Sequence, residues 1–165
     1  MLQRGTAAGA AMAAFPATSV AARSRANPLI RDGRFGHGVA SGFPSPDGAA
    51  LWTRLDGLEL PRGKVRVEVA RDPGFRKVVA RRLVRVSGNR DHTARIDLRS
   101  SKLSADEEYW YRFETRRRSS PVGRFKTLPP FDSRRPIRFA FFSCQRYEHG
   151  YFTPHAGIAA DEDLD

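Results

Sequence analysis

The sequence predicts an all-β sandwich of the immunoglobulin or fibronectin type, followed by the first strand and helix of an α/β domain. Seven short segments between residues 35 and 131 alternate apolar and polar side chains, the period of a half-buried strand. Turn signals rich in Gly, Pro, Asp and Asn separate them about every ten residues, the spacing of a β-sandwich. Beyond residue 132, a continuous apolar run and then a helical pattern replace the alternation.

The composition is typical of a globular chain rather than a disordered or fibrous one. Of its 165 residues, 40% are hydrophobic and 28% are charged. One cysteine excludes an intrachain disulfide and a Cys-only zinc site, and no internal run of about 18 apolar residues suggests a membrane span. The net charge is +11, yet residues 132–165 are net acidic, which indicates a domain boundary near Asp132.

The first segment has the pattern of an export signal. Residues 1–22 contain one arginine, a run of small uncharged residues and a small-residue stretch at Ser19–Ala22 of the kind that signal peptidase cleaves. Leu2–Gly5 resembles the stretch just after the arginine pair of a twin-arginine signal. Since the pair itself is absent, we expect the true start to lie upstream. Ala22–Arg34 would then be a linker.

The predicted strands follow from period-two alternation. They are Gly38–Ser41, Ala49–Arg54, Lys64–Ala70, Lys77–Val86, Thr93–Leu98, Tyr109–Thr115 and Val122–Thr127. Val65, Val67 and Val69 fall on one face of their strand, and Trp52 is also predicted to be a core residue. Leu103 followed by Tyr109 is typical of a tyrosine corner, in which the phenol oxygen bonds to the preceding backbone. Arg116–Arg118 is predicted to be a solvated hairpin tip.

The C-terminal segment has a different pattern. Ile137–Phe142 is nearly all apolar and predicts a strand buried on both faces. Phe152–Ala160 has helical spacing, with Phe152, Ala156 and Ala159 or Ala160 on one side and Pro154 in the first turn. Ligands of α/β domains bind at the carboxyl ends of strands, so residues 143–149 are the candidate site.

Several motifs in the same order resemble the alkaline phosphatase D family. They are Gly36-His37-Gly38-Val39-Ala40-Ser41-Gly42-Phe43-Pro44, Ala49–Arg54, Val67–Phe75, Tyr109–Phe113, Ser120–Pro129 and Phe139–Phe152. The resemblance implies a small β-sandwich followed by a calcineurin-like metallophosphoesterase domain. It also implies an exported bacterial enzyme that hydrolyses phosphodiesters and phosphomonoesters, with calcium and iron(III) as its metals.

The resemblance divides the chain into three parts. Residues 1–34 are expected to be the signal peptide remnant and linker, residues 35–131 the sandwich, and residues 132–165 the start of a truncated catalytic domain. Asp163-Leu164-Asp165 resembles the residues before the family's next motif, a Gly-Asp pair that the chain does not contain. A two-metal hydrolase needs several more ligands, so the fragment itself is expected to be inactive.

The candidate site residues follow the predicted strand. The resemblance implies that Cys144 is an iron ligand, although a lone cysteine is more often buried and inert. Tyr147 is expected to add a phenolate ligand or, alternatively, to pack beneath the loop. Arg146 is a candidate phosphate contact, with a solvated loop arginine as the alternative. His149 is expected to be structural, and His37 and His155 show no partner cluster in the sequence.

Two other classes of function compete with the hydrolase. One is a stand-alone β-sandwich that binds a partner without catalysis, since such folds serve many roles. The other is nucleic-acid binding through the basic middle of the chain. The aromatic residues argue against the latter, because they recur at strand period, as core residues do, and no nucleic-acid partner is expected.

Overall fold

The computed structural model describes residues 29–57, 62–143, 146, 148–161 and 163–165. These contain seven β-strands, one short 3-10 turn at Gly88–Arg90 and one α-helix. The strands are β1 (Val39–Ser45), β2 (Gly48–Arg54), β3 (Arg62–Ala70), β4 (Val78–Ser87), β5 (Thr93–Arg99), β6 (Glu108–Glu114) and β7 (Gly123–Lys126), and the helix is α1 (Thr153–Ala160). Each of the seven predicted strands is confirmed, with ends shifted by up to four residues.

The strands form two antiparallel sheets. One has the order β1-β2-β5 and the other the order β4-β3-β6-β7. In the larger sheet, Arg66 of β3 lies opposite Glu114 of β6, and Tyr109 of β6 lies opposite Phe125 of β7. Because β3 and β6 run in opposite directions, the start of β3 and the start of β6 lie at opposite ends of this sheet.

The core lies between the two sheets and follows the predicted alternation. Val65, Val67 and Val69 on β3 are at most 1% exposed, and so are the three aromatic residues of β6 that alternate in the same way. The ring of Tyr109 stacks on Phe125 with centroids 5.6 Å apart. Residues at i and i+2 of a strand share a face, so one apolar face on each sheet is enough to build this core.

The predicted tyrosine corner is present. The hydroxyl oxygen of Tyr109 accepts a hydrogen bond of 2.8 Å from the backbone N–H of Ser104, and Leu103 beside it is buried. The predicted hairpin tip is also present, since Arg116, Arg117 and Arg118 are exposed in the turn between β6 and β7.

Trp52 is not a core residue, which corrects the sequence prediction. Its neighbours Leu51 and Thr53 are fully buried, whereas Trp52 is only half-buried. The period of two puts the side chain between two inward-facing residues on the other face of the strand, where Trp52 lies opposite Arg95.

The segment before Phe35 packs into the sandwich instead of linking to it loosely. Ile30 is 1% exposed and belongs to the core cluster. Its N–H donates to the carbonyl of Lys64 at 2.8 Å, and its carbonyl accepts from the N–H of Arg116 at 2.9 Å. The sandwich therefore includes residues ahead of the expected start at Phe35.

Ile137–Phe142 is not a strand, contrary to the prediction. The segment has no strand hydrogen bonds, and Phe139 and Phe141 are 76% and 84% exposed. A strand forms only when its backbone finds a partner, and no described segment pairs with this run along its length. The predicted burial on both faces is therefore wrong for this structure.

The helix is confirmed at Thr153–Ala160, with Pro154 in its first turn. Of the residues predicted to share one side, Phe152 is half-buried and the alanines are exposed, while His155 and Ile158 are the other half-buried residues. No helix among the described residues is long and apolar enough to cross a membrane.

The outer face of the larger sheet has a network of ion pairs. Glu68, only 4% exposed, accepts hydrogen bonds from Arg81 at 2.7 Å and Arg112 at 2.9 Å. Glu114 accepts two from Arg66, at 2.6 and 2.9 Å. Desolvation by burial acts to raise the pKa of Glu68, but the hydrogen bonds and charges of the arginines outweigh it and leave the pKa below its usual value.

Candidate functional site

The segment after β7 folds back against the sandwich and forms the candidate site with it. The backbone N–H of Leu128 donates to the carbonyl of Ser45, and the carbonyl of Leu128 accepts from the N–H of Asp106. These bonds fix the direction in which the chain leaves the sandwich. The described residues between 129 and 165 then return toward the end of the sheet where β6 begins and β7 ends.

Four charged side chains join this C-terminal segment to the sandwich. Arg135 donates two hydrogen bonds to Asp106, at 2.5 and 2.8 Å, and two to Asp165, at 2.7 and 2.9 Å. Lys126 at the end of β7 donates to Asp165 at 2.7 Å. We call Asp106, Lys126, Arg135 and Asp165 the ionic anchor. Paired hydrogen bonds from one guanidinium fix orientation as well as distance, so the anchor defines one geometry for the segment.

The charges of the anchor hold its carboxylates in the ionised form. Hydrogen bonds from Arg135 and Lys126 hold the pKa of Asp165 well below its usual range, and its side chain is 8% exposed. The hydrogen bond from Arg135 likewise lowers the pKa of Asp106. In return, Asp165 and Asp106 raise the pKa of Arg135. Both carboxylates and the Arg135 guanidinium are therefore charged at neutral pH.

The same aspartate ties down the apolar run. The backbone N–H of Arg138 donates to the Asp165 carboxylate and the N–H of Asp165 donates to the carbonyl of Arg138, both at 2.9 Å. Arg138 also pairs with Asp163 at 2.5 Å. The run that begins at Ile137 is thus held beside the last residues of the chain although it forms no strand.

A cavity of about 360 Å³ lies between the sandwich and this segment. Phe125 and Lys126 of β7 line it on one side, and Phe139, Ile158 and Leu164 line it on the other. The cavity is open to solvent. The sandwich and the C-terminal segment are therefore joined by the ionic anchor and not by a packed apolar core.

The structure places one of the three predicted site residues. Arg146 is exposed, its guanidinium lies 3.7 Å from Glu148, and its carbonyl accepts from the N–H of His149. Cys144 and Tyr147 lie outside the described residues. Within the described ranges, no three His, Cys, Asp or Glu side chains group closely enough to hold a metal. The described residues therefore offer no calcium or iron site.

His37 has partners that the sequence did not reveal. Its Nε2 lies 3.3 Å from the Asp56 carboxylate and 2.5 Å from the guanidinium of Arg54, which also pairs with Asp91. The group lies at the end of β2, where a loop brings Asp91 close. His155 instead contacts aromatic rings, with Phe142 at 4.2 Å between centroids.

The ionic anchor was also missed in the sequence. Its members come from the turn before β6, the end of β7 and two places in the C-terminal segment. No local spacing connects them. The opposite net charges of residues 132–165 and of the basic sandwich predicted a domain boundary near Asp132, but not these contacts.

A seven-stranded antiparallel sandwich with a C-terminal segment held to it by ion pairs defines the chain as a β-sandwich domain joined to a following region. The model of the family described as "PhoD-like phosphatase, N-terminal domain" matches residues 19–129. The chain belongs to this family. The resemblance to alkaline phosphatase D seen in the sequence is confirmed.

Two relatives support this assignment. Alkaline phosphatase D of Bacillus subtilis is 40% identical over 133 residues, which are 76% of this chain and 22% of that protein. A solved structure titled "Structure of PhoD" is similar with a TM-score of 0.75 and 38% identity, over 84% of this chain and 27% of that one. The chain thus spans about a quarter of the length of the relatives it matches.

Proposed function

We propose that the chain is the N-terminal part of an exported phosphoric ester hydrolase, which cleaves phosphodiesters and phosphomonoesters when its catalytic domain is complete. The observation that supports this most is the 40% identity to a protein named alkaline phosphatase D. In this proposal residues 1–34 include the signal and a linker whose end, from Leu29, packs on the sandwich, residues 35–131 form the rest of the sandwich, and residues 132–165 begin a calcineurin-like catalytic domain. Export by the twin-arginine route is proposed from residues 1–22, which lie outside the described part of the structure.

The role of the sandwich in this proposal is to hold the start of the catalytic domain. The ionic anchor supports that role, because it joins Asp106 and Lys126 of the sandwich to Arg135 and Asp165 beyond it. The exposed rings of Phe139 and Phe141 support it as well. Large apolar side chains exposed to water are unfavourable, and a following domain would bury them.

The proposed metal chemistry rests on the family resemblance. Cys144 would supply a thiolate and Tyr147 a phenolate to iron(III), calcium would bind nearby, and Arg146 would contact a substrate phosphate through its paired donors. Such an ion would polarise a phosphoryl oxygen. Since the described residues hold no metal cluster, the other ligands would come from the rest of the catalytic domain.

Replacing Cys144 tests this assignment. The variant Cys144→Ser is made in a hybrid protein that joins residues 29–165 to the remainder of the Bacillus subtilis relative. Loss of iron, a weaker visible charge-transfer band and lower turnover are expected together. A purely structural cysteine predicts unchanged iron content and colour with a modest loss of stability, and that result would remove Cys144 from the site.

The alternative function is a stand-alone sandwich that binds a partner without catalysis. Turnover of a nitrophenyl phosphodiester distinguishes the proposed hydrolase from this binding module. The 165-residue chain with calcium and iron is expected to give none, because most of the metal site is missing, whereas the hybrid is expected to be active. Enzymatic turnover by the 165-residue chain would contradict the proposed division. A folded but inactive hybrid would favour the binding module.

A further inference from the structure

The end of the larger sheet remote from the ionic anchor has a group of cations without acidic partners. Lys64 on β3 lies directly opposite Arg85 on β4, and Arg62 lies opposite Ser87 at the strand ends. Arg90 follows in the 3-10 turn after β4. We call Arg62, Lys64, Arg85 and Arg90 the basic groove. Within the described ranges, none of the four side chains forms an ion pair or a hydrogen bond, although the carbonyl of Arg90 accepts a hydrogen bond from the Thr93 hydroxyl.

The neighbouring rows of the same sheet are neutralised. Arg66, Arg81 and Arg112 all pair with Glu68 or Glu114 at 2.6–2.9 Å. One row further along β3, like charges face each other instead, which destabilises a sheet when nothing compensates. This row of the sheet therefore differs from its neighbours in that no described acidic side chain balances its charges.

The arginines border a space large enough for a ligand. An open cavity of about 800 Å³ is lined by Arg62, Arg85 and Arg90 together with Ser87, Gly88 and Asn89. The three arginines are exposed, so their forked donors are free to turn toward a ligand. Ser87 and Asn89 add a hydroxyl and an amide, although their side chains also bond to each other at 2.5 Å.

The arrangement of the cations favours an extended anion. Side chains two residues apart on a strand are about 7 Å apart, and directly opposite residues are about 5 Å apart. The charges are therefore spread along the groove and do not converge on one point. Phosphate groups have several acceptor oxygens that match the paired donors of arginine, and a chain of them places one charge every few ångströms.

We propose that the basic groove binds a phosphate-bearing polyanion, at a site separate from the candidate catalytic segment. The proposal does not depend on the hydrolase assignment, because it rests on the charges of the sandwich alone. The sandwich would thereby bind an anionic polymer independently of any hydrolysis by the rest of the protein.

Binding of short linear polyphosphate to the 165-residue chain tests the proposal. The triple variant Arg62→Gln, Arg85→Gln and Arg90→Gln is compared with Arg34→Gln, Lys102→Gln and Arg134→Gln, which makes the same change in net charge at exposed basic residues outside the groove. We expect the groove variant to lose about tenfold or more in affinity. The slope of log affinity against log salt concentration should also become shallower by about one for each phosphate contact that is lost. The control variant should lose much less.

Three results would overturn the proposal. They are equal loss of affinity in the two triple variants, polyglutamate binding as tight as polyphosphate, and inorganic phosphate binding as tight as the polymer. The first would show only general attraction by net charge, the second a preference for acidic peptide, and the third a single-anion site. Thermal unfolding shows whether each variant is folded, and removing like charges from facing positions should not lower stability.

Discussion

The guanidinium of Arg135 holds the carboxylate of Asp165 with two hydrogen bonds, at 2.7 and 2.9 Å, and holds Asp106 of the sandwich with two more. One side chain thus joins the turn before β6 to the far end of the described chain. This contact helps to orient the described residues after 130, because the cavity beside it is open and is not a packed core.

Removing the charge of Asp165 should loosen the C-terminal segment. In Asp165→Asn, the bonds from Arg135 and Lys126 lose their charged acceptor, so the segment should open more often. Trypsin should then cut at Arg138 or Arg146 at least about fivefold faster, since cleavage follows the open population. Asp132→Asn is the control, because Asp132 is an exposed carboxylate of the same segment that pairs with no described residue. Equal cleavage rates in the two variants would contradict the role of the anchor.

The anchor should resist mild acid. The folded-state pKa of Asp165 and that of Asp106 lie below the usual value of 3.8. Their stabilising contribution is therefore fully present above pH 3.8 and is lost as the pH falls below that value toward the lowered pKa. Carboxyl NMR shifts followed from pH 7 to pH 2 should show midpoints below 3.8 for both groups. A midpoint above 4 for Asp165 would show that the ion pairs do not form.

The glycine at the start of β2 should not tolerate a methyl group. A Cβ on Gly48 would collide with the backbone carbonyl oxygen of Leu98 on β5, whereas one on Gly42 would meet nothing. We expect Gly48→Ala to destabilise the sandwich by about 3 kcal/mol, because two paired strands would have to separate. Gly42→Ala should be near neutral. The measurement is the urea concentration at the unfolding midpoint of each variant. Similar midpoints for Gly48→Ala and Gly42→Ala would contradict the prediction.

The exposed apolar run should limit solubility. Phe139 and Phe141 are largely exposed, and a chain of residues 1–130 lacks them. The shorter chain should stay in solution at higher concentration than the 165-residue chain. Sedimentation of both at rising concentration is the measurement. If the two chains begin to precipitate at the same concentration, the boundary near Asp132 is misplaced.

The sandwich could be predicted closely because period-two alternation reflects a face that must be buried. Val65, Val67 and Val69 show this, and the turn before Tyr109 marks a corner that local sequence specifies. Trp52 was predicted to be a core residue because it is large and alternates with Leu51 and Thr53, but burial of those two neighbours puts Trp52 on the other face of the strand. The run from Ile137 to Phe142 was predicted as a strand from its apolar residues alone, but a strand also needs a partner.

The candidate site was less predictable for a different reason. The anchor unites Asp106 and Asp165, which are far apart in the sequence, and no short motif contains both. His37 likewise finds Asp56 only after β1 and β2 pair. The predicted ligands Cys144 and Tyr147 came from a family resemblance and not from spacing, and they stay a prediction.

The most direct test of the central claim is phosphodiester turnover by the hybrid of residues 29–165 with the remainder of the Bacillus subtilis relative, measured beside the 165-residue chain alone. If this chain is the N-terminal part of such a phosphatase, the hybrid should hydrolyse a nitrophenyl phosphodiester and the 165-residue chain should not. A hybrid that folds, binds metal and gives no turnover would contradict the account.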